Sequence, residues 1–346
     1  MKYWQLASGD QTRDYSEVFL NFGIASLGPG NPGPLSEKTI VIYKEKKEYD
    51  KIKWIQQVEE GDRIILRSGQ RIIQAVGEVV LYNNSVYNYS NCFNDVDGWD
   101  LQHFVKVKWK QISKEYEHNK MTRTTMEGLH NKEVIQDVEM EWDRYGFIQD
   151  KYNITEPDEE GKVEYYHIEE ALINSGFRIQ DAENTTNTIN RVEKLAKWYR
   201  YNLPKIAATE HEIRTFLVVP FLQALGWSPQ IIGIETRYGN RKMDIVLFRK
   251  PDRVTPYILI ETKRMYEGYA GAINQIKRYI KELHELKNLT LFIVTDGLRF
   301  WLYNKTEENW KAKAYMNFRN KRKKYSAYPY CEGVLGFIQL LKPYQE

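Results

Sequence analysis

The pattern of apolar and polar positions predicts a pair of buried, neighbouring strands in the second half of the chain. Apart from one aspartate, residues 243–248 and 257–260 are apolar runs of β-branched, aliphatic and aromatic residues, and a turn with two prolines separates them. Charged residues stand at the ends of these runs: Asp244 near the start of the first, and Glu261 and Lys263 after the second. Because side chains alternate faces along a strand, Glu261 and Lys263 project the same way, and we expect Asp244 to lie within reach of both.

The first half of the chain has the pattern of a small β-barrel. Residues 1–6 predict a first strand, and the glycine- and proline-rich residues 28–34 predict a loop. Residues 63–67 and 72–80 predict consecutive strands after a Gly-Asp turn, and residues 104–109 alternate with a period of two. This order predicts an α+β domain built on a small barrel.

Length and local polarity predict two domains joined by a helical segment. A chain of 346 residues is long enough for two hydrophobic cores. The polar residues 184–188 are typical of a junction. We therefore predict an N-terminal domain over residues 1–175, a helical linker over 176–200 and a C-terminal α/β domain over 201–346.

Composition adds a charge asymmetry. The net charge of +3 divides into −8 for residues 1–180 and +11 for residues 181–346. The two cysteines lie far apart in sequence, which excludes a disulfide framework and zinc-ligand spacing. No apolar run approaches the length needed to span a membrane, and the first residues lack a signal-segment pattern. We expect a cytoplasmic, prokaryotic protein with no membrane partner.

Two carboxylates and an amine at neighbouring strand ends suit a hard divalent cation, which prefers oxygen ligands and keeps some of its waters. Such a cation polarises a phosphoryl oxygen and lowers the pKa of a bound water. We predict that Asp244 and Glu261 bind Mg²⁺ (or Mn²⁺) and that Lys263 positions the water. The alternative is an exposed aspartate beside a surface ion pair worth under about 1 kcal/mol.

The same residues carry a family resemblance. Asp244 followed by Glu261-Thr262-Lys263 resembles the PD-(D/E)XK nuclease motif, with Met243 where a proline often stands. From roughly residue 205 to residue 305, the chain resembles the nuclease domain at the N-terminus of type I restriction motor subunits. The matching features, in chain order, are Thr209-Glu210-His211-Glu212-Ile213-Arg214, Pro220-Phe221-Leu222, Leu225-Gly226-Trp227, the pair Gln275 and Tyr279, and the segments 293–297 and 300–303.

This resemblance implies an α/β restriction-endonuclease-like fold and a set of site residues. The implied catalytic residues are Asp244, Glu261, Lys263, Glu210 and Gln275, and the implied metal ligands are Asp244, Glu261 and the carbonyl of Thr262. Glu210 and Glu212 compete for the helix glutamate of the family, and the spacing to Arg214 and Pro220 favours Glu210. Gln275 and Tyr279 share a helix face, where a hydrogen bond to the sheet is as good an explanation as a catalytic role.

Basic residues in the C-terminal half are candidates for contact with a nucleic-acid backbone, which fixes register without reading sequence. A short basic run is usually just a solvated loop, but beside a nuclease-like core it becomes a candidate contact surface. The candidates are Arg241, Lys242, Arg319, Lys321, Arg322, Lys323 and Lys324.

The N-terminal half is similar to the PUA-like group that includes EVE and YTH domains. The similarity rests on the Gly61-Asp62 turn, the strand over residues 75–79 and the strand that ends at Trp109. It implies a pocket for one base, often modified and rotated out of the helix, at a cost of a few kcal/mol that stacking offsets. The candidate pocket residues are Trp99 and Phe22 as walls and Ser8 and Asp10 for the base edge. Trp99 as a loop-to-core anchor remains an open alternative, and for Phe22 packing in the core is the favoured alternative.

Three functions follow. The first is a Mg²⁺-dependent endonuclease that cuts double-stranded DNA carrying a modified base, at least transiently as a homodimer, in restriction or phage defence. The second is an RNA-directed nuclease, and the third is a catalytically silent reader. The phosphate-binding pattern G-x-x-x-x-G-K-[ST] is absent, so no nucleotide cofactor and no motor activity are expected.

Overall fold

The computed structural model describes residues 1–10, 12–265, 267–307 and 309–343. The chain forms two compact units, Met1–Pro157 (the N-terminal unit) and Asp158–Glu346 (the C-terminal unit). Each unit holds its own β-sheet within the described residues.

The sheet of the N-terminal unit is mixed and open. Its strand order is β2-β6-β4-β3-β1-β8, with β5 paired to β6 and β7 paired to β4. Among the described strands of this sheet, β1 and β3 are the one pair that is parallel. The described strands β2 and β8 lie at opposite ends of this order, so the sheet forms half a barrel, which agrees in part with the small barrel predicted. The strands are β1 (Tyr3–Ala7), β2 (Ile24–Leu27), β3 (Arg63–Ser68), β4 (Ile72–Val80), β5 (Tyr87–Tyr89), β6 (His103–Lys110), β7 (Lys114–Glu115) and β8 (Met126–Gly128).

Helices cover this sheet and contribute to its core. Val134, Val138 and Trp142 of the last helix of the unit pack with Ile65 and Val76 of the sheet. The oxygen of a cap residue, Asn131, receives two backbone N–H groups at the start of that helix. The helices are α1 (Ser16–Phe22), α2 (Glu37–Glu45), α3 (Tyr49–Ile52) and α4 (Lys132–Trp142), with 3₁₀ turns at Lys53–Gln57 and Asn91–Phe93.

The C-terminal unit is built on a sheet of order β14-β13-β12-β11-β10-β9. Only β11 and β12 pair in parallel, and a helix connects them, as a parallel crossover requires. The apolar runs predicted as neighbouring strands are β10 and β11, which pair antiparallel. The strands are β9 (Ile232–Tyr238), β10 (Arg241–Phe248), β11 (Pro256–Thr262), β12 (Leu291–Thr295), β13 (Arg299–Lys305) and β14 (Trp310–Asn317).

Helices of the C-terminal unit flank this sheet. No helix in the described ranges is long and apolar enough to cross a membrane. The helices are α5 (Tyr165–Asn174), α6 (Ile179–Asn202), α7 (Glu210–Glu212), α8 (Val219–Ala224), α9 (Ala270–Glu282) and α10 (Val334–Leu340). A π-helical segment, Ile213–Val218, joins α7 to α8, and 3₁₀ turns lie at Pro229–Ile231 and His284–Leu286.

The division between the units differs from the predicted domain limits of 175, 176–200 and 201. Helix α6 belongs to the C-terminal unit, and its apolar face is buried at Ile189 and Ala196. The polar segment 184–188 lies inside this helix, where Thr185 and Thr186 are buried and the Thr185 hydroxyl donates to the Ala224 carbonyl at 2.7 Å. Threonine is small enough for a helix-packing face, so the polar segment is part of a core rather than a junction.

Candidate functional site

The ends of β10 and β11 position the charged residues singled out in the sequence. In this antiparallel pair Ile245 lies opposite Ile260, so Asp244 and Glu261 occupy the next position, at the end of the ladder. Asp244 is 9% exposed and Glu261 is 4% exposed. Lys263 follows β11 directly, and its backbone N–H donates to the Thr295 carbonyl of β12. The sheet therefore brings two buried carboxylates and a lysine together at the same end of β10 and β11.

Donors hold the Asp244 carboxylate on both of its oxygens. Oδ2 accepts hydrogen bonds from the backbone N–H of Thr262 at 2.8 Å and from the Thr262 hydroxyl at 2.6 Å. Oδ1 accepts one from the guanidinium of Arg214 at 2.7 Å. The orientation of Asp244 is thus fixed by a neighbouring strand and by the helix that carries Arg214.

A second cluster forms around Glu261. Its Oε1 accepts hydrogen bonds from Lys263 Nζ and from Gln275 Nε2, each at 2.9 Å. Gln275 lies on α9, so this bond connects the crossover helix to the end of the sheet. Within the described residues, Oε2 of Glu261 accepts no hydrogen bond from the protein. One oxygen is therefore held in place while the other can bind a ligand.

The electrostatics of the site couple its members. Burial and then the negative charge of Asp244 raise the pKa of the Glu261 carboxyl to about 7, against the opposing effect of Lys263. Burial by itself lowers the pKa of Lys263, but the charges of Glu261, Glu210 and Asp244 outweigh burial and raise it. Lys263 is therefore a cation at neutral pH, whereas Glu261 is present in both its protonated and its ionised form.

The two candidate helix glutamates have different surroundings. The Glu212 carboxylate closes a capping box, in which it accepts from the backbone N–H and the hydroxyl of Thr209 at 2.8 and 2.9 Å. The charge of Glu210 instead acts on Glu261 and Lys263. Of the two, Glu210 is the one whose charge affects the site residues.

Sequence reasoning missed Arg214 and Glu235 as members of the site. Arg214 is 4% exposed and donates to Asp244 at 2.7 Å and to Glu235 Oε1 at 2.8 Å. Hydrogen bonds from Lys242 and then from Arg214 hold the pKa of Glu235 below its usual range. The available signal was an arginine within an apolar helix, four residues after Glu210.

The donor set fits a hard divalent cation. Two carboxylates lie at the same end of neighbouring strands, and among the described residues one oxygen of Glu261 has no protein partner. Burial raises the pKa of Glu261, and a bound cation would offset that effect. Among the described residues, no cluster of three or more His, Cys, Asp or Glu side chains has metal-binding geometry. A cation here would draw its remaining ligands from a carbonyl such as that of Thr262 and from water, as Mg²⁺ commonly does.

Two basic candidates flank the site on β10. Arg241 pairs with Glu282 at 3.2 Å, and Lys242 pairs with Glu235 at 3.1 Å. Both side chains remain nearly half exposed. The Arg241 guanidinium also lies 5.5 Å from the ring centre of Tyr279 on α9.

The basic run 319–324 is partly internal. The Lys321 side chain is 11% exposed, and its ammonium pairs with buried Glu193 at 2.7 Å, so its charge is already neutralised within the protein and Lys321 is a poor candidate for DNA contact. Arg322 donates to the Asn320 side chain and to the Asp158 carbonyl. Arg319, Lys323 and Lys324 are exposed, and Lys324 pairs loosely with Glu332 at 3.4 Å.

In the N-terminal unit, Trp99 and Asp10 lie on neighbouring loops. Trp99 is 36% exposed, and a Cβ at Gly28 would lie 2.3 Å from its Nε1, so the indole edge packs on that glycine. Both Asp10 oxygens accept hydrogen bonds from Thr12 or Arg13. Arg13 also donates to the Asp97 carbonyl, which links the two loops.

Phe22 and Ser8 do not line an open pocket. Phe22 is 1% exposed and packs edge-on against Phe93 at 5.2 Å, because the last turn of α1 faces the sheet. Ser8 is 4% exposed, and its backbone bonds to Arg67 and Tyr15 hold it below the surface. Phe22 is therefore a core residue, the favoured alternative to a pocket wall, whereas the prediction that Ser8 reads a base edge is corrected, because Ser8 is a buried residue of the turn.

Comparison with known proteins places the site in a recognisable region. The family described as Type I restriction enzyme R protein N terminus (HSDR_N) matches residues 230–310. Among solved structures, the chain is similar to a fragment described as an HsdR subunit of a type I restriction enzyme from Vibrio vulnificus YJ016, with 18% identity and a TM-score of 0.25. That similarity covers 31% of this chain and 23% of the fragment.

No curated protein matches the chain significantly. The matched residues 230–310 include Asp244, Glu261, Lys263 and Gln275, and the match confirms the resemblance predicted for this part of the sequence. The chain therefore contains a region similar to the N terminus of type I restriction enzyme R proteins, and that region carries the candidate site.

Proposed function

We propose that this protein is a divalent-cation-dependent endonuclease whose C-terminal unit, a PD-(D/E)XK fold, hydrolyses phosphodiester bonds in DNA. One observation carries the proposal: Lys263 and Gln275 converge on a single oxygen of Glu261 beside Asp244, in the region similar to type I restriction enzyme R proteins. DNA is the substrate class that this relationship implies.

Each residue has a role in this proposal. Asp244 and Glu261 hold the cation, with the Thr262 carbonyl as a third ligand. Bound Mg²⁺ or Mn²⁺ supplies positive charge at a phosphoryl oxygen and lowers the pKa of a bound water. The Lys263 ammonium orients the attacking water, and Gln275 keeps Glu261 in a fixed rotamer. Glu261, and to a smaller extent Glu210, raise the pKa of Lys263 and keep it protonated.

Exposed basic residues supply affinity for the DNA backbone. Arg241 and Lys242 flank the site on β10, and Arg319, Lys323 and Lys324 lie on the exposed part of the basic run. Contacts of this kind are salt-dependent and carry no sequence information. A single active site cuts one strand, so cleavage of both strands requires a homodimer, at least transiently.

The N-terminal unit supplies selectivity in this proposal, as a PUA-like domain of the EVE/YTH type that accepts a modified, flipped base. The partly exposed Trp99 ring, next to the turn that contains Asp10, supports this role. Stacking on an aromatic ring is worth about 1–3 kcal/mol per base, which offsets much of the cost of extruding it.

The test is cleavage of matched substrates with Mg²⁺ and with EDTA. The substrates are DNA duplexes that are unmodified or carry 5-methylcytosine, 5-hydroxymethylcytosine or N6-methyladenine, and an RNA of the same sequence. We expect Mg²⁺-dependent cutting of one modified DNA and none by Asp244→Asn. Equal cutting of every DNA removes the reader role, cutting of RNA alone favours the RNA-directed nuclease, and binding without cutting favours a silent reader.

A further inference from the structure

Arg214 connects two carboxylates that face each other across neighbouring strands. Met243 pairs with Thr236 and Ile245 pairs with Ile234, so Asp244 and Glu235 occupy the positions between these pairs on β10 and β9. Like charges placed opposite each other on a sheet repel. The Arg214 guanidinium lies between them, with 2.7 Å to Asp244 Oδ1 and 2.8 Å to Glu235 Oε1.

Both residues that flank this arrangement, Glu235 and Arg214, have uncommon backbone conformations. Glu235 has φ of +53°, a conformation that non-glycine residues seldom adopt. Arg214 itself lies in the π-helical segment between α7 and α8, and such segments concentrate at functional sites. Two uncommon backbone conformations therefore meet at one guanidinium.

The geometry also limits what Arg214 can do. Its side chain is 5% exposed, both terminal nitrogens donate to carboxylates, and its buried Nε has no hydrogen-bond partner among the described residues. A guanidinium that is buried and already bonded to two carboxylates is poorly placed to contact a phosphate in solution. The guanidinium can act only through the residues that it holds.

We propose that Arg214 is a positioning residue for the cation site: it fixes the Asp244 carboxylate in the orientation that binds the cation, and Glu235 anchors it from the other side. The proposal rests on the proposed function, because it assigns Asp244 as a cation ligand. A lysine cannot replace the planar, forked donor, since one ammonium does not span two carboxylates with the same geometry.

Simple electrostatics makes the opposite prediction, which gives a clean test. A positive charge next to the site repels a cation, so its removal in Arg214→Met would tighten Mn²⁺ binding if charge were all that mattered. Positioning instead predicts weaker binding, because Asp244 loses the donor on Oδ1. Arg214→Lys keeps the charge and loses the fork, so electrostatics predicts no change and positioning predicts a loss.

The experiment is Mn²⁺ titration of the full-length protein by calorimetry at pH 8, with circular dichroism and thermal unfolding of each variant. We expect affinity to fall about tenfold or more in Arg214→Met and severalfold in Arg214→Lys, the range typical of residues that orient metal ligands. Arg237→Met is the matched control, because Arg237 is exposed on the same strand as Glu235. It should leave affinity unchanged.

Unchanged or tighter binding by Arg214→Met overturns the positioning role while leaving the nuclease proposal intact. If Arg214→Met does not fold, Arg214→Lys decides: affinity equal to that of the wild type overturns the proposal. A wild-type protein that binds no Mn²⁺ overturns the cation site itself, and the positioning role with it.

Discussion

The side chains of Lys263 and Glu261 form an ion pair with 2.9 Å between Nζ and Oε1, and both are largely buried at the end of one strand. Two residues apart on β11 and the segment after it, they share a face of the sheet, and Gln275 donates to the same glutamate oxygen. The two hydrogen bonds to Oε1, from Lys263 and from Gln275, thus fix the orientation of the Glu261 carboxylate.

Replacing the lysine should remove catalysis and spare binding. In Lys263→Met the donor that orients the attacking water is lost, so we expect single-turnover cleavage to fall by about 10² or more, the scale for one catalytic donor. DNA affinity measured in EDTA by fluorescence anisotropy should stay unchanged, because Lys263 is largely buried. Lys281→Met, which removes an exposed lysine from α9, is the control and should cleave normally. Cleavage by Lys263→Met at the wild-type rate would contradict the assignment.

The raised pKa of Glu261 predicts an opposite dependence of stability and function on pH. The folded-state pKa of about 7 lies above the ordinary 4.5, so the stability that the protonated carboxyl contributes is complete below pH 4.5 and is lost as the pH rises through about 7. Cation binding needs the carboxylate and should strengthen over the same range.

The variant Glu261→Gln separates these effects, because its amide stays neutral at every pH. In EDTA at pH 8 we expect it to be more stable than the wild type by on the order of 1–3 kcal/mol, and at pH 4.5 to be equal to it. Thermal unfolding across pH 4.5–8 checks the stability, and Mn²⁺ titration checks the expected loss of cation binding. A stability difference that is the same at both pH values would contradict the buried-carboxyl explanation.

The Gln275 hydrogen bond should matter for cation affinity more than for folding. Gln275→Ala removes one donor from Glu261 Oε1 and frees the carboxylate to rotate, so we expect Mn²⁺ affinity to fall about tenfold and the unfolding temperature to change little. Asn274→Ala, at the exposed neighbouring position on α9, is the matched control. If Gln275→Ala lowers stability and leaves Mn²⁺ affinity intact, the residue only joins helix to sheet.

The sequence was sufficient wherever the deciding interactions are local. The alternation of β3, β4 and β6 and the apolar runs of β10 and β11 depend on strand periodicity, and each lies within two residues of its predicted range. The same periodicity, together with a short turn, also predicts that Asp244, Glu261 and Lys263 lie at the same end of these two strands.

The sequence was insufficient where the structure depends on contacts between segments that are far apart in the chain. Arg214 and Asp244 are 30 residues apart in sequence, and their ion pair forms only because tertiary packing brings the helix of Arg214 next to β10. The same is true of Lys321 and Glu193, which are 128 residues apart. Phe22 and Trp99 are both aromatic residues at loops or helix ends, and their different exposure depends on the sheet beneath them.

The two parts of the basic run should respond differently to substitution. Lys321→Met breaks a buried ion pair with Glu193 and should destabilise the C-terminal unit by about 1–3 kcal/mol, since Lys197 and Tyr165 still contact that carboxylate. Its DNA affinity should not change.

The double variant Lys323→Ala/Lys324→Ala should fold normally, bind DNA more weakly and lower the slope of log affinity against log salt by about 2. Thermal unfolding and anisotropy at several salt concentrations check both, and weaker DNA binding by Lys321→Met alone would reverse the interpretation.

Trp99 and Phe22 should separate recognition from folding in the N-terminal unit. Trp99→Ala truncates a residue that is 36% exposed, so we expect a smaller loss of stability than in Phe22→Ala and, for the modified DNA that the wild type prefers, a loss of affinity of about 1–3 kcal/mol, the value of one stacked base. Cleavage chemistry, measured at saturating DNA, should be unaffected because Trp99 lies in a different unit from Asp244. Phe22→Ala instead empties a buried site against Phe93 and should cost about 3–5 kcal/mol of stability. Trp99→Phe keeps a stacking surface and should recover most of the affinity. Equal binding of modified DNA by Trp99→Ala and the wild type would remove Trp99 from the reader site.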